Sequence, residues 1–252
     1  MLKSRDEQQY LVLRIVAASP GVAGSGSISQ GLRRLGINIS EATIGRILRE
    51  LDHDGHTVRD GFKGRALTDK GRMRMEEIGV LRRRLDQGNH FVALLSATGQ
   101  KELIDVLVAR RALERETARL AATLITVREL EELREAVRRH QELTDAGSVG
   151  AEEDVEFHRI IAQASGNHVL QAAMDLIRQE VQLSPLLHYI RKQVDSTVVE
   201  DHIAILRRLE ERDPARAEEA MVSHMENLIR DVKRYWAQYK RQADSNGEGA
   251  LA

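Results

Sequence analysis

From Lys101 to about residue 241 the sequence offers helical blocks and almost nothing else. They are separated by Gly147, Gly150, Gly166, Pro185 and Pro214. The apolar periodicity predicts helices near 101–123, 126–144, 151–164, 168–182, 195–212 and 215–241. Aromatic residues make up only 3% of the chain, and no long segment is dominated by β-branched or aromatic side chains, so a sheet is disfavoured. Helices with one apolar stripe can bury it only against other helices. This region therefore predicts an all-α antiparallel helical bundle. Asp213 followed by Pro214 is a helix-restart signal, an N-cap with proline at the first helical position.

The first part of the chain is patterned differently. "RDEQQYLVLRIVAAS" carries apolar residues at Tyr10, Leu11, Leu13, Ile15 and Val16, and "PGVAGSGS" then reads as a loop. "SISQGLRRLG" fits a short helix, with Ser27 as a possible N-cap and Gly36 past its end. Ser40 is placed to cap "EATIGRILRELDHDG", in which Ile44, Ile47, Leu48 and Leu51 form one stripe before Gly55. "HTVRDGFKGRALTDKG" alternates around a glycine-containing turn and predicts a hairpin, and a basic helix of about residues 70–84 follows. Three short helices and a hairpin describe a winged helix-turn-helix. The fold class is thus mostly α, a winged helix-turn-helix with a small β-hairpin wing followed by the bundle. The expected organisation is residues 1–85 for the winged helix and 86–100 for a linker with glycines at 88 and 99. Residues 101–241 form the bundle and 242–252 a disordered tail.

Charge follows the same division. Residues 1–85 hold 16 Lys and Arg against 10 Asp and Glu, whereas residues 86–252 hold 22 against 29. A basic module joined to an acidic one suggests that the first meets a polyanion. In a helix-turn-helix the second helix enters the major groove with its N-terminal residues at base edges. With the Ile44 stripe in the core, Thr43, Arg46 and Arg49 remain outward or flanking, and Ser40 and Thr43 can reach phosphate or base edges. Arg46 is the best candidate for a guanine, because its fork donates two hydrogen bonds. Arg59, Lys63 and Arg65 on the hairpin offer phosphate contacts, and Phe62 is expected to pack beneath the wing.

In the bundle, "EEDVEFHRIIAQASGN" places Asp154 and His158 four residues apart, on one helix face. Such a pair can grip a metal, share a proton or lie at the surface. His202 and His224 stand eleven residues before and after Asp213. Antiparallel helices would bring them to one level. Three imidazoles and a carboxylate suit zinc, nickel or another first-row divalent ion. Spacing alone leaves open whether they meet.

There are no cysteines, which excludes disulfides and thiolate metal sites. No apolar run is long enough to span a bilayer and no signal-peptide core is evident, so a soluble cytoplasmic protein is expected.

"SEATIGRILRELDHDGHTVRDGFKGRALTDKG" resembles the winged-helix module of the NrpR-type regulators and of ribonuclease R, over roughly residues 8–80. "ARRALERETARLAA", "FHRIIAQASGN" and "DHIAILRRLEERDPARAEEAMVSHM" resemble the effector domain, called FCD, of the FadR branch of GntR-family regulators, over about residues 101–236. That resemblance implies a divalent metal held by Asp154, His158, His202 and His224. It also implies a small carboxylate effector bound by Arg110, with Asn167 near the same cavity. Many relatives carry an acidic residue two positions before that arginine, where this chain has Val108. His90, His140, His168 and His188 match no ligand position and are expected to be structural or at the surface. The implied function is a ligand-responsive transcriptional regulator, by family habit a repressor, acting as a homodimer on a double-stranded DNA operator. Two alternatives stand beside it. One is a helical metalloenzyme, for which no nearby carboxylate has an evident base role and Glu156 points away. The other is a regulator with a purely structural metal.

Overall fold

The structure is a computed structural model of the chain and describes residues 4–96, 99–148, 150–178, 183–194, 196 and 198–245. It divides into two compact units, residues 1–90 and 91–252.

The first unit runs α1 (Ser4–Ala18), α2 (Ser25–Arg34), α3 (Glu41–His53), β1 (Thr57–Asp60), β2 (Gly64–Leu67) and α4 (Asp69–Leu95), the last continuing past the division. Its core is formed by Val12, Leu13, Ile28, Leu32, Ile44, Leu48 and Leu51, each fully buried. Burial of such a side chain contributes about 1.5–3 kcal/mol. Ser40 caps α3 by accepting from the Thr43 amide at 3.2 Å. Ser27 does not cap α2 as the sequence suggested. Gly24 is the N-cap, and the Ser27 hydroxyl accepts from its amide at 3.1 Å, because the helix begins earlier, at Ser25. β1 and β2 pair antiparallel from Thr57↔Leu67 to Asp60↔Gly64, and Ala23 adds a bridge to Arg65. Gly64 takes φ +144°, and a Cβ there would lie 2.6 Å from the Ala23 carbonyl carbon, so this close approach requires glycine. The basic helix is longer than the predicted 70–84. It extends through much of the expected linker, since Gly88 alone lowers helix propensity by about 1 kcal/mol and does not stop it.

The second unit contains α5 (Gln100–Leu124), α6 (Val127–Asp145), α7 (Ala151–Ala164), α8 (His168–Arg178), α9 (Leu183–Gln193), α10 (Val198–Glu210) and α11 (Pro214–Ser245). Leu103, Leu107, Leu133, Phe157, Ile205, Met221, Met225 and Leu228 belong to one core cluster. Asp213 caps α11 through its carboxylate, which accepts from the Arg216 amide at 3.1 Å. Helix α9 was not predicted. Pro185 reads as an interruption but falls in the first turn of α9, where a missing N–H forfeits no intrahelical bond. Helix α8 is described to Arg178, and the rest of its predicted span lies outside the described residues. Helix α11 includes residues 242–245, which the sequence reading had given to a disordered tail. The remainder of that tail lies outside the described residues.

Candidate metal centre

Asp154 and His158 occupy the buried face of α7 together with Phe157 and Ile161. His202 on α10 and His224 on α11 are also buried. Because α10 and α11 form an antiparallel hairpin turning at Asp213, the two histidines meet with ring centroids 4.9 Å apart. Each is also 5.2 Å from the ring of His158. One nitrogen from each of the three lies within 4.8 Å of the others. Asp154 Oδ1 stands 3.5 Å from His202 Nε2 and 3.9 Å from His158 Nε2.

The three Nε2 atoms are buried without a hydrogen-bond partner. A buried polar atom left unpaired costs about 1–3 kcal/mol, so three of them at one spot call for a bound partner. The opposite nitrogens are occupied. His158 Nδ1 lies against the Glu114 carboxylate, His224 Nδ1 is 3.3 Å from Asp201 Oδ2, and His202 Nδ1 is 3.3 Å from His140 Nδ1. Such partners fix a metal-ligating histidine's tautomer and ring orientation, so the residues present fit a divalent ion.

A shell of charges surrounds the cluster. Arg110 on α5 donates from Nε to Glu114 Oε1 at 2.8 Å, while its own Nη2 is buried without a partner. Arg178 approaches Glu114 at 3.4 Å and Asp154 at 3.6 Å, and Arg191 donates to Asp154 Oδ1 at 3.0 Å. Glu114, Asp201, Arg178 and Arg191 were missed in the sequence. Glu114 is the carboxylate near the histidines that the sequence reading had not found. His140 and His188, assigned no ligand position, are buried and border the cluster, with His140 5.2 Å from the His202 ring. Asn167 does not join the group. It is exposed, and its side-chain oxygen accepts from the Val169 and Leu170 amides at 3.1 and 3.2 Å, which commits it to starting α8. Glu156 faces away, paired with Arg159 at 2.7 Å.

Burial opposes the charge of both carboxylates, but neighbouring arginines outweigh it. Arg191, with Arg178, holds Asp154 well below its ordinary range, and Arg110, with Arg178, does the same for Glu114. Burial, with Arg178 nearby, pushes the His158 imidazole down to about 3. Burial and His224 hold His202 well below its ordinary value. At neutral pH His158 and His202 therefore present free imidazole lone pairs, and Asp154 an ionised carboxylate. The linkage has one sign. Below about pH 6.5 the unfolded chain binds protons that the folded His158 and His202 refuse, so stability falls as pH drops toward the folded values. The carboxylates, lowered on folding, add to that loss below about pH 4. The metal-free protein is expected to lose up to about 1.4 kcal/mol per pH unit for each such histidine. Thermal melts from pH 7.5 to 4.5, read on the bundle's transition, check this. A midpoint flat across that range would contradict neutral buried imidazoles.

In the first unit, Arg46 and Arg49 are exposed on α3 beside Ser40 and Thr43. Arg46 is lightly held by Glu50 at 3.1 Å. Arg65 is not free. Its Nε donates to Asp52 Oδ2 at 2.8 Å and it is largely buried, tying β2 to α3. Arg59 donates to the Gly61 carbonyl at 2.9 Å, and Lys63 is exposed. Phe62 does not pack beneath the wing but is wholly exposed at its tip, because the short hairpin turn carries it away from the helices.

Residues 105–227 match the FCD domain family, and residues 10–85 match the ribonuclease R winged-helix domain. YcbG, an HTH-type transcriptional regulator of Bacillus subtilis, is 29% identical over 166 residues, covering 62% of this chain and 69% of that protein. The putative L-lactate dehydrogenase operon regulatory protein of Escherichia coli is 30% identical over 143 residues, 55% of each. This chain thus spans about half the length of that relative. A structure of Streptococcus agalactiae GntR aligns over 90% of this chain and 99% of its own, at 22% identity with TM-score 0.45. The first unit is thus similar to the ribonuclease R winged helix and the second to the FCD domain, in a chain that resembles named transcriptional regulators.

Proposed function

We propose that the protein represses transcription as a homodimer on a palindromic operator. Its bundle would hold a divalent ion, zinc or nickel, and answer to a small carboxylate effector. The observation that carries the metal reading is the convergence of the unpartnered Nε2 atoms of His158, His202 and His224, with Asp154 beside two of them. When bound, the ion supplies a Lewis-acidic position for a carboxylate oxygen. The side chains do the rest. Glu114, His140 and Asp201 hold the imidazoles in the tautomer that offers Nε2. Arg110 keeps one unpartnered guanidinium nitrogen beside the cluster, able to donate a charge-assisted hydrogen bond to the effector. Within ion-pairing distance, Arg110, Arg178 and Arg191 meet two carboxylates, Glu114 and Asp154. With Asp201 beside His224 the charges balance, so a bound divalent ion would leave a net positive centre, which favours an anionic ligand over a purely structural metal. An effector can change DNA affinity only by its differential affinity for two arrangements of the protein.

Selection from a random duplex library with the full, zinc-loaded chain supplies the operator, and fluorescence anisotropy then measures binding. Arg46→Ala is expected to cost about 1–3 kcal/mol and relax discrimination at one base pair. Lys63→Ala should weaken all sequences alike and reduce the salt slope by about one. L-lactate, named in the operon of one relative, is the first effector to add, followed by other hydroxy and keto acids and sugar acids. A released complex in wild type and an unresponsive one in Arg110→Ala supports the reading. No enriched sequence, or affinity indifferent to every acid, sinks it.

A further inference from the structure

The tip of the β1–β2 hairpin carries a large apolar side chain that the fold does not use. Phe62 is 101% exposed, whereas Phe157 is fully buried in the bundle core. On the hairpin only Val58 is another exposed large apolar residue, so the ring belongs to no extended apolar patch. It is held in place all the same. The Lys63 amide donates to the Asp60 carbonyl at 3.0 Å and Gly61 takes φ +53°, which makes the turn tight. Arg59 donates from Nε to the Gly61 carbonyl at 2.9 Å, and its guanidinium carbon stands 5.9 Å from the ring centroid. That is a cation–π distance. The hairpin therefore presents one oriented aromatic ring to solvent.

The ring's place relative to α3 is also fixed. Arg65 ties β2 to Asp52 on α3, and Ala23 and Arg65 exchange backbone hydrogen bonds of 2.9 and 3.0 Å. The hairpin is thus anchored to the helix that exposes Arg46 and Arg49. In the ladder Arg59 stands opposite Arg65, a like-charge pairing that disfavours the sheet. Asp52 answers Arg65 and leaves Arg59 beside Phe62 and the exposed Lys63. Asp60 is the one acid between residues 58 and 65, so the tip keeps an excess of positive charge. A stable protein interface needs about 1,000 Å² of buried surface, which a single ring between cations does not supply. One base step of a duplex is the right size. With α3 in the major groove, a basic hairpin fixed beside it meets the backbone and the adjoining minor groove. Apolar side chains in that groove wedge between base pairs, unstacking and kinking the step, and pyrimidine–purine steps yield most easily.

From this we infer that Phe62 is a wedge, which enters the minor groove beside the α3 contact, partly unstacks one pyrimidine–purine step and kinks the duplex there. The inference rests on the DNA-binding reading given above and is independent of the metal. The test uses the full chain and the duplex that wild type selects from a random library. Affinity is read by anisotropy, bending by the mobility of circularly permuted duplexes, and unstacking by 2-aminopurine placed at successive flanking positions. Wild type is expected to bend its operator by about 20–90° and to raise the 2-aminopurine fluorescence at one step. Phe62→Ala is expected to bind about tenfold more weakly, with neither the bend nor the rise, and to melt at the wild-type temperature. Phe62→Leu, still an apolar wedge, should keep most of both signals. Replacing that step by a purine–purine step should weaken wild type and leave Phe62→Ala nearly unchanged. Equal affinity and equal bend in wild type and Phe62→Ala overturn the inference and leave DNA binding intact. A weaker Phe62→Ala complex that still bends and unstacks also overturns it, as a mere packing contact. So does a change of oligomeric state in sedimentation of Phe62→Ala with an unaltered DNA complex, which would assign the ring to a second copy of the chain. If wild type enriches no duplex, the DNA-binding reading fails and the wedge with it, and the wild-type selection alone shows that failure.

Discussion

Purified wild-type protein is expected to carry about one divalent ion per chain, and the His202→Ala, His224→Ala double variant none. Elemental mass spectrometry reads this directly. Two of the three imidazoles come from the α10–α11 hairpin, so the double change leaves Asp154 and His158 on α7 as an incomplete pair. Wild type reloaded with Zn²⁺ at a hundred times its dissociation constant should gain about 2.7 kcal/mol. For a unit of this size that is a rise of roughly 5–10 °C in melting temperature, absent from the variant. The variant also loses the His202 contact with His140 and the His224 contact with Asp201, so circular dichroism of the metal-free protein must show that it is folded. If wild type holds no metal after reloading with Zn²⁺ or Ni²⁺, the four residues are a polar core, and the DNA-binding half of the proposal stands alone.

The convergence of Asp154 and the three histidines was foreshadowed because helical arithmetic acts locally. The four-residue step from Asp154 to His158 survives any packing, and the eleven-residue symmetry of His202 and His224 about Asp213 survives because Asp213 and Pro214 do restart a helix. Their partners were not legible, since they arrive from other elements. Arg191 rides on α9, which the pattern had hidden behind Pro185, and Arg178 ends α8. Nothing in either segment marks its arginine as buried. Glu114 could have been found. It follows Arg110 by four residues on the buried stripe that also holds Leu103, Leu107, Thr117 and Ala121, and a charged pair on an apolar stripe announces a partner across the core. Arg65 misled for the opposite reason. A basic residue in a hairpin reads as available, and only the fold shows that Asp52 claims it.

Glu114→Gln should be the most damaging single change in the bundle. The carboxylate is buried between Arg110, Arg178 and His158, and it is what makes the burial of two guanidiniums tolerable. Breaking a buried ion pair by removing one partner costs about 3–5 kcal/mol, because the other charge stays behind uncompensated. Glutamine keeps the shape and one acceptor oxygen, so the lower end of that range is expected in urea melts of the metal-free protein. A second effect separates the site from mere packing. Without the carboxylate, His158 loses the charged acceptor that holds its proton on Nδ1 and its lone pair on Nε2, and zinc affinity should fall 10–100-fold, measured by competition with a chromophoric chelator. Pairing the change with Arg110→Met closes the argument. If the loss comes from a stranded charge, the double variant should be less destabilised than the two single losses added together. Strict additivity, or a Glu114→Gln protein within about 1 kcal/mol of wild type that binds zinc as tightly, would mean that Glu114 neither holds the arginines nor orients His158.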